Sequence, residues 1–547
     1  MSILVTTFDM IESWTVSIWL SIIFFGLLIA YIYEQVTYIS KRGSLPGPKL
    51  TVPFIGGIIH MLLAPYNFWH GQMEYGKLSW NSIIGRFFVL IADSEYSRKI
   101  FEKCSSDMPL VLHPNANRLL GHDNIAFMNG HTHKTLRIAL LPLFTTKALS
   151  VYLHIQEQAI RDHMKKWCEM SRISKDGIEM RPLIYDLNIN TSLSVFLGPY
   201  LTDDIRQEFK INYTNLTRGM FATPIYFPGT QLYKGVRAAE SIRQSLQSIV
   251  KQCKQRMSIE NEQATCLLDF WMISTLKTIH EAQNNNQSTP LQHTSDEEIA
   301  KITLDFLFAA QDASTSSLTF AIHELCKHPD VLEKVRNEQK LIRPDPLASL
   351  TPEILTQMKY TWQVMKELLR LRPPATLAIH VANKPVQISE DYTAPKGTLI
   401  IPSIWSSNRN GFPDPEIFDP ERFNSDRMEH MKFDRNFLTF GAGPHACIGQ
   451  RYAMNHIMLF ISLLTDMNFE RAHHSDMDKI INFLTFGAGP HACIGQRYAM
   501  NHIMLFISLL TDMNFERAHH PDMDKIMYLP TIYPADGCRL KYIEARA

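Results

Sequence analysis

The 547-residue sequence has no excess charge of either sign, because Lys plus Arg and Asp plus Glu number 54 each. A chain without a net field is not suited to attract nucleic acid, so no nucleic-acid partner is expected. Cysteine is sparse, with eight residues scattered over the whole length. This spacing excludes a small disulfide-stapled domain and indicates mostly reduced thiols. With 45% hydrophobic residues, the chain can bury one large core or two ordinary ones.

The N-terminus lacks a basic leading segment and a small-residue cleavage site, which disfavours a cleaved signal peptide. It has instead an uncharged run of 21 residues, Ser13 to Tyr33. As a helix that rises about 1.5 Å per residue, this run would cross a hydrocarbon core of roughly 30 Å. Acidic residues precede the run, and Lys41 and Arg42 follow it, which places the rest of the chain in the cytoplasm. We therefore predict a membrane anchor over residues 1–44 and a cytosolic domain over residues 45–547.

Helical spacing of apolar residues predominates beyond the anchor. It predicts helices over Val151 to Met170 and Ser241 to Met257, whereas the β-branched run Thr398 to Pro402 predicts a strand. The prolines and glycine of Leu45 to Pro48 cannot continue a helix and predict a stiff elbow after the anchor. The fold class expected is mainly α with small β-sheets.

A long central helix is predicted by its start signal. The polar stretch Asn284 to His293 predicts a surface loop. Ser295 and Glu298 follow with capping-box spacing, which marks the beginning of a helix.

Residues 436–481 recur as residues 482–527 with only two differences. Two copies are too few for a repeat architecture, and near-identity indicates a tandem duplication added to a finished fold.

Each copy carries a glycine-rich turn that ends in a cysteine. In the first copy Gly441, Gly443 and Pro444 constrain the turn, and a helix begins shortly after Cys447, so the helix dipole would stabilise a thiolate. Gly449 lets a flat, bulky group approach the backbone. A zinc site of Cys447 with nearby histidines is disfavoured, because no second cysteine pair has finger spacing.

Phe440, Gly443, Cys447 and Gly449 resemble the cysteine-loop signature of the cytochrome P-450 family. The resemblance implies the fold of that family and a haem b cofactor, with Phe440, Gly443 and Gly449 in the cofactor site. It also implies electrons from NADPH, delivered by a flavoprotein NADPH-cytochrome reductase.

The iron ligand is Cys447 or Cys493, since the two loops are identical. Cys447 keeps a compact link to Arg422, whereas Cys493 keeps one to the strand-like segment Tyr528 to Tyr542. We favour Cys447, with 46 residues as an insertion.

Two further segments resemble the family in the expected order. Glu367 and Arg370 share one helix face, and in the family such a pair forms a buried network with an arginine, here Arg422, which supports the cofactor site. The segment Ala309 to Ser314 resembles the oxygen-activating helix. The resemblance makes Asp312 the acidic residue for proton delivery, and Ser314 or water replaces a hydroxyl that the family usually has where Ala313 stands.

A fourth resemblance concerns the haem propionates. Arg137 would be the charge-assisted donor to a propionate. His133 stands where many relatives have tryptophan, and His445 stands where the cysteine loop often has arginine. Both can donate to a carboxylate in suitable tautomers.

Within the family, the similarity is to sterol C-22 desaturases and rests on four segments: Phe306 to Ser317, Arg372 to Ala382, Asn408 to Phe423 and Arg435 to His456. It implies removal of two hydrogens from a sterol side chain at the endoplasmic reticulum membrane. A sterol or fatty-acid hydroxylase or demethylase, and an inactive haem- or lipid-binding relative, are the alternatives.

Two sets of residues are candidates for contacts with other molecules. Ala375, Leu377 and Ile379 are expected to form apolar walls of a substrate pocket. Lys251, Lys254 and Arg256 form a basic cluster that could dock the reductase.

Overall fold

The computed structural model describes residues 2–111, 115–174, 177–220, 222–259, 263–285, 293–471, 526–528, 532–534 and 539–545. Within these ranges the α-helices are α1 Ser2–Arg42, α2 Ile58–Leu63, α3 Pro65–Glu74, α4 Ser94–Glu102, α5 Ala116–Leu119, α6 Gly130–Leu140, α7 Thr146–Ile173, α8 Met180–Leu197, α9 Asp203–Met220, α10 Gln231–Met257, α11 Leu267–Asn284, α12 Asp296–Lys327, α13 Pro329–Ile342, α14 Pro352–Gln357, α15 Lys359–Leu371, α16 Ile404–Ser407, α17 Glu429–Lys432 and α18 Gln450–Thr465. The strands are β1 Leu78–Ile83, β2 Arg86–Ile91, β3 Ile178–Glu179, β4 His380–Val381, β5 Val386–Gln387, β6 Thr393–Ala394, β7 Leu399–Pro402, β8 Met467–Arg471, β9 Ile526–Tyr528, β10 Ile532–Pro534 and β11 Arg539–Ala545. The predicted fold class, mainly α with small sheets, is confirmed.

The described strands form four small sheets. The largest has the order β1-β2-β7-β4, in which β2 and β7 are parallel and the other neighbours antiparallel. A second sheet has the order β3-β11-β8, and β9 pairs with β10 and β5 with β6. Strand β7 is buried along its whole length, because it lies between two other strands inside the domain.

The long helix α12 crosses the middle of the domain and contacts α8, α10 and α18. It begins where the capping box predicts, because the Ser295 side chain accepts a hydrogen bond from the Glu298 N–H at 3.2 Å. Most of its side chains are buried, as expected for a helix surrounded by others.

The predicted helices over 151–170 and 241–257 lie within α7 and α10, and the strand predicted over 398–402 is β7. Helix α11 extends to Asn284, the first residue of the predicted loop, and residues 286–292 lie outside the described residues.

The first copy of the duplicated unit forms α18 and β8, and β8 pairs with the C-terminal strand β11. Residues 482–525, which include Cys493 and nearly all of the second copy, lie outside the described residues. The chain therefore returns to the sheet edge made by the first copy.

Candidate active site

The cysteine loop is a tight turn that enters α18. The Cys447 N–H donates to the Phe440 carbonyl at 2.8 Å, and the Gly441 N–H donates to the Leu438 carbonyl at 2.8 Å. Gly443 has φ 67°, and a Cβ on it would lie 2.6 Å from the Phe101 carbonyl oxygen. Only glycine fits there, so Gly443 serves close packing against the end of α4.

The Asn408 side chain fixes the start of the cysteine loop through two hydrogen bonds. The sequence did not predict this role. Its Oδ1 accepts from the Leu438 N–H at 2.8 Å, and its Nδ2 donates to Thr439 Oγ1 at 2.6 Å. Thr439 in turn donates to the Leu369 carbonyl of α15 at 2.9 Å. Asn408 is completely buried. An asparagine within a segment that resembles the family was the only signal in the sequence.

The structure brings Glu367, Arg370 and Arg422 together in the interior. Glu367 Oε2 is 2.7 Å from Arg370 Nε, and Glu367 Oε1 is 3.2 Å from Arg422 Nε. The Asp419 N–H also donates to Glu367 Oε1, at 2.9 Å. None of the three triad residues lines the cavity described next, so their link to a cofactor is through the support of the surrounding chain.

A cavity of about 320 Å³ lies between the cysteine loop and α12. Phe440, Cys447, Gly449 and neighbouring loop residues form one side, and the opposite side includes Ala309, Ala310, Ala313, Ser314 and Phe306. Apolar and aromatic side chains make up most of the lining. The cavity is therefore suited to an apolar ligand.

The Cys447 side chain is exposed to the cavity that it lines, and the protein around the cysteine desolvates its thiol. Burial raises the pKa of Cys447, and a hydrogen bond involving the Gly449 backbone and the charge of Arg137 act in the opposite direction. The thiol alone thus stays protonated at neutral pH, and a bound cation is needed to favour the thiolate.

A larger cleft of about 740 Å³ lies on the opposite face of α18 and is lined by Trp362, Arg451 and Met454 among others. It contains no cysteine and none of the predicted catalytic residues.

On α12 the two predicted catalytic residues have different positions. Ser314 lines the cavity together with Ala313, whereas Asp312 is buried beside the cavity and does not line it. Burial raises the pKa of Asp312 to about 6, and the charge of Arg181 acts to lower it. A carboxyl group with a pKa raised towards neutrality suits the proton-delivery role predicted for Asp312.

The predicted propionate donors converge at one end of the cavity. Arg137 donates to the Ala446 carbonyl at 2.7 Å, and the rings of His133 and His445 are stacked with centroids 4.0 Å apart. All three line the cavity. Burial lowers the pKa of His133, and it lowers the pKa of His445 to about 4, so both imidazoles are neutral at physiological pH.

His380 also lines the cavity and was missed in the sequence. It is buried, its Nδ1 is 3.3 Å from the Met108 carbonyl oxygen, and its Nε2 has no hydrogen-bond partner among the described residues. Burial lowers the pKa of His380 to about 4. The Nε2 atom of His380 can therefore form a hydrogen bond to a polar group of a ligand in the cavity.

The predicted apolar walls are only partly right. Ala375 lines the cavity, but Leu377 and Ile379 do not, because they pack into the hydrophobic core. Ala378 and His380 take their place. The segment is not a strand before β4, so alternation could not predict which side chains face the cavity.

Asp305 places a carboxyl group in the cavity wall, one further residue missed in the sequence. It accepts hydrogen bonds from the Asn124 side chain and, at 3.3 Å, from the Ile125 N–H. Burial raises the pKa of Asp305 well above its usual range. The contact joins the loop after α5 to α12 over the cavity.

The basic cluster proposed for docking is largely neutralised within the chain. Lys254 pairs with Asp296, and Arg256 pairs with Asp269 at 3.0 Å. Lys254 and Arg256 thus stabilise contacts of α10 with neighbouring segments, and the docking role of the cluster with Lys251 stays a prediction.

The residues of the cavity fit a haem. The accessible thiol has no companion ligands, because the described residues contain no group of three His, Cys, Asp or Glu side chains that could hold a metal ion. A single thiolate suits an iron whose other ligands belong to a porphyrin. A Cβ at Gly449 would meet nothing within 4 Å, which leaves room beside the backbone for a flat group.

Comparison with known proteins agrees with this site. The family model described as Cytochrome P450 matches residues 45–480 and again residues 467–531. The chain therefore belongs to the cytochrome P450 family, whose members are haem-dependent monooxygenases.

Particular relatives narrow the comparison. Cytochrome P450 710A2 of Arabidopsis thaliana is 39% identical over 464 residues, which cover 83% of this chain and 92% of the relative. C-22 sterol desaturase ERG5A of Gibberella zeae is 33% identical over 460 residues, which cover 81% of this chain and 85% of the relative. The solved structure of retinoic acid-bound cyanobacterial CYP120A1 has a TM-score of 0.69 at 21% identity and covers 92% of this chain and 100% of that one. This structural match shows the fold.

Proposed function

We propose that the chain is a membrane-anchored haem-thiolate enzyme that introduces a double bond at C-22 of a sterol side chain. The observation that carries this proposal is the apolar cavity bounded by the Cys447 thiol on one side and the small residues Ala309, Ala310 and Ala313 on the other. The relative in Gibberella zeae that is named a C-22 sterol desaturase supports the regiochemistry.

Haem b would be held by residues on the cysteine-loop side of the cavity. Cys447 would bind the iron, and Gly449 and Phe440 would lie beside the cofactor. Arg137, His133 and His445 would donate to the propionates. Glu367, Arg370 and Arg422 contribute indirectly, because they fix the chain segments that support the cysteine loop.

Desaturation balances as a four-electron reduction of oxygen. The sterol CH₂–CH₂ unit gives up two hydrogens, NADPH supplies two electrons through a reductase, two protons are taken up, and O₂ leaves as two waters. The haem, when bound, supplies the oxidant. Asp312 and Ser314 deliver protons towards the cavity from α12, and the apolar wall orients the side chain and excludes water.

Residues Ile18–Arg42 are long and apolar enough to cross a membrane. We assign the chain to the endoplasmic reticulum membrane, with a single span and a cytosolic catalytic domain. An NADPH-cytochrome reductase would dock near the exposed Lys134 and Arg451, on the two helices that flank the cysteine loop.

The experiment that tests this function is reconstitution of the full chain with reductase and NADPH, followed by mass analysis of products from candidate sterols. A product lighter by two hydrogens is expected, and Cys447→Ala is the inactive control. A product that has gained oxygen would identify a hydroxylase or demethylase instead. NADPH consumption that does not depend on any lipid would identify an inactive haem- or lipid-binding relative.

A further inference from the structure

A chain of buried hydrogen bonds runs from α18 through α8 to α12. His456 Nε2 lies 3.0 Å from Asn188 Oδ1, and Asn188 Nδ2 donates to Thr315 Oγ1 at 3.0 Å. Thr315 in turn donates to the Gln311 carbonyl of its own helix at 2.8 Å. His456, Asn188 and Thr315 are each 2% exposed. These residues do not line the cavity, and the proposed reaction assigns them no role.

An amide side chain is required in the middle of this chain of bonds. Asn188 accepts at its oxygen and donates at its nitrogen, whereas a carboxylate cannot donate and a hydrocarbon can do neither. The bond to Asn188 places the proton of the His456 ring on Nε2, and burial lowers the pKa of His456 to about 4. The His456 ring is therefore neutral, and it holds the amide in the orientation that the bond to Thr315 needs.

A second bond joins α8 to the same face of α12. Gln311 Nε2 donates to the Tyr185 carbonyl at 2.8 Å. Gln311 and Thr315 stand at i and i+4, so they lie one above the other on one side of the helix. Because two bonds to α8 are one turn apart, they restrict the rotation of this part of α12 about its axis.

The cavity face of α12 cannot set this rotation by packing. Ala309, Ala310 and Ala313 are small and border the open cavity. Apolar contacts are also non-directional, so they tolerate a small rotation of a helix, whereas a hydrogen bond weakens steeply when its angle changes. The hydrogen-bonded face must therefore set the direction in which Ser314 points.

The direction of Ser314 matters because its neighbour Ala313 has no hydroxyl. Successive side chains of an α-helix point about 100° apart, so Thr315 can face α8 while Ser314 faces the cavity. Proton transfer needs a donor and an acceptor within hydrogen-bond reach. A small rotation of α12 would therefore be enough to take the Ser314 hydroxyl out of use.

We propose that Asn188 is a positioning residue for the proton route. Through Thr315, the Asn188 amide fixes the rotation of α12 and keeps Ser314 directed into the cavity. Asn188 thus supplies from α8 the alignment that the alanines of α12 cannot supply from the cavity side. This inference rests on the proposed haem-thiolate reaction and does not depend on which lipid is oxidised.

The first test measures how oxygen is used. The full chain is reconstituted with reductase, and the peroxide released per NADPH consumed is measured at equal haem-thiolate content. When protons are misdirected, O₂ that has taken up two electrons and two protons leaves as hydrogen peroxide and is not reduced to water. The peroxide ratio should rise in Asn188→Leu and Thr315→Val by about fivefold, the shift that loss of one hydrogen bond produces in a conformational equilibrium.

Two matched variants control for a general loss of packing. Thr315→Ser keeps the hydroxyl and should behave like the unmodified chain. Thr303→Val makes the same change as Thr315→Val on the same helix, at a residue that is fully buried and bonds to the Ile299 carbonyl of α12 itself. Its peroxide ratio should stay unchanged. A rise in Thr303→Val equal to that in Thr315→Val would overturn the positioning role.

The second test reports the geometry without turnover. The infrared stretch of carbon monoxide bound to the ferrous haem responds to the dipoles of nearby polar groups, so Ser314→Ala gives the shift that loss of this hydroxyl produces. Asn188→Leu and Thr315→Val should move the band in the same direction. Because the two residues act through Ser314, Asn188→Leu should add nothing to the shift of Ser314→Ala.

The double variant Asn188→Leu/Thr315→Val completes the test. Its peroxide ratio should match that of Asn188→Leu alone, because both changes break the same bond. Additive effects, or a peroxide ratio and an infrared band like those of the unmodified chain, would overturn the inference. Thr315→Val keeps the side-chain volume and decides the outcome if Asn188→Leu does not fold. An unmodified chain without a thiolate-type carbon monoxide spectrum would instead overturn the proposed function, and this inference with it.

Discussion

The imidazole rings of His133 and His445 lie stacked, with an interplanar angle of 16°, beside the Arg137 side chain. Two neutral rings side by side leave N–H groups that can donate to carboxylates without the repulsion of two cations. The pair thus replaces the tryptophan and arginine that the family resemblance led us to compare with these positions.

From this arrangement we expect that His133→Ala accelerates haem loss. A neutral hydrogen bond contributes about 1 kcal/mol, which corresponds to roughly a fivefold faster transfer of haem to an acceptor apoprotein. His131→Ala is the control, since His131 is exposed on the same helix. Equal rates for both variants would remove His133 from the haem site.

The Glu367→Ala variant should be strongly destabilised. It leaves Arg370 and Arg422 buried without their shared carboxylate, and loss of one partner of a buried ion pair costs about 3–5 kcal/mol. Glu95→Ala breaks an exposed pair with Lys99 and should cost about 0–1 kcal/mol. Thermal unfolding in detergent compares the two variants, and a similar small shift for both would contradict a supporting role of the triad.

Cys447→Ala is expected to abolish the thiolate-type carbon monoxide difference spectrum, whereas Cys493→Ala keeps it. Cys447 lines the cavity. The first copy of the repeat, which contains Cys447, also forms α18 and the strand β8 that pairs with β11. The reverse result would assign the iron to the second copy. Loss of the spectrum in both variants would mean that the two copies fold as one unit.

The sequence was informative wherever a signal was local. Capping at Ser295, apolar periodicity in α7 and α10, and the glycines of the cysteine loop depend on neighbouring residues, and these features lie where they were predicted. Asn408 and Asp305 could not be assigned, because their partners are 30 and about 180 positions away in the chain. The side-chain directions of Leu377 and Ile379 depend on an irregular segment, for which no periodicity exists.

The pH dependence of turnover should report on Asp312. Because burial raises its pKa to about 6, the carboxyl is mostly protonated below that pH and loses its proton above it. Turnover should therefore fall as pH rises through about 6. The Asp312→Asn variant should turn over about 100-fold more slowly, and its turnover should no longer fall over this pH range. The variant should bind haem normally. The exposed Asp203→Asn is the control, and an unchanged profile in Asp312→Asn would exclude Asp312 from the proton route.

Asp305 should control where on the substrate the oxidation occurs. Asp305→Ala leaves the Asn124 amide and the Ile125 N–H without a buried acceptor, at a cost of about 1–3 kcal/mol, so the loop that they belong to moves away from α12. We expect retained haem but a broader set of oxidised side-chain positions in the products. Asp123→Ala removes the exposed pair of Asp123 with Lys301 between the same loop and helix, and its product pattern should stay unchanged. If Asp305→Ala instead lowers turnover without changing the product ratio, the carboxyl stabilises the fold and does not position the substrate.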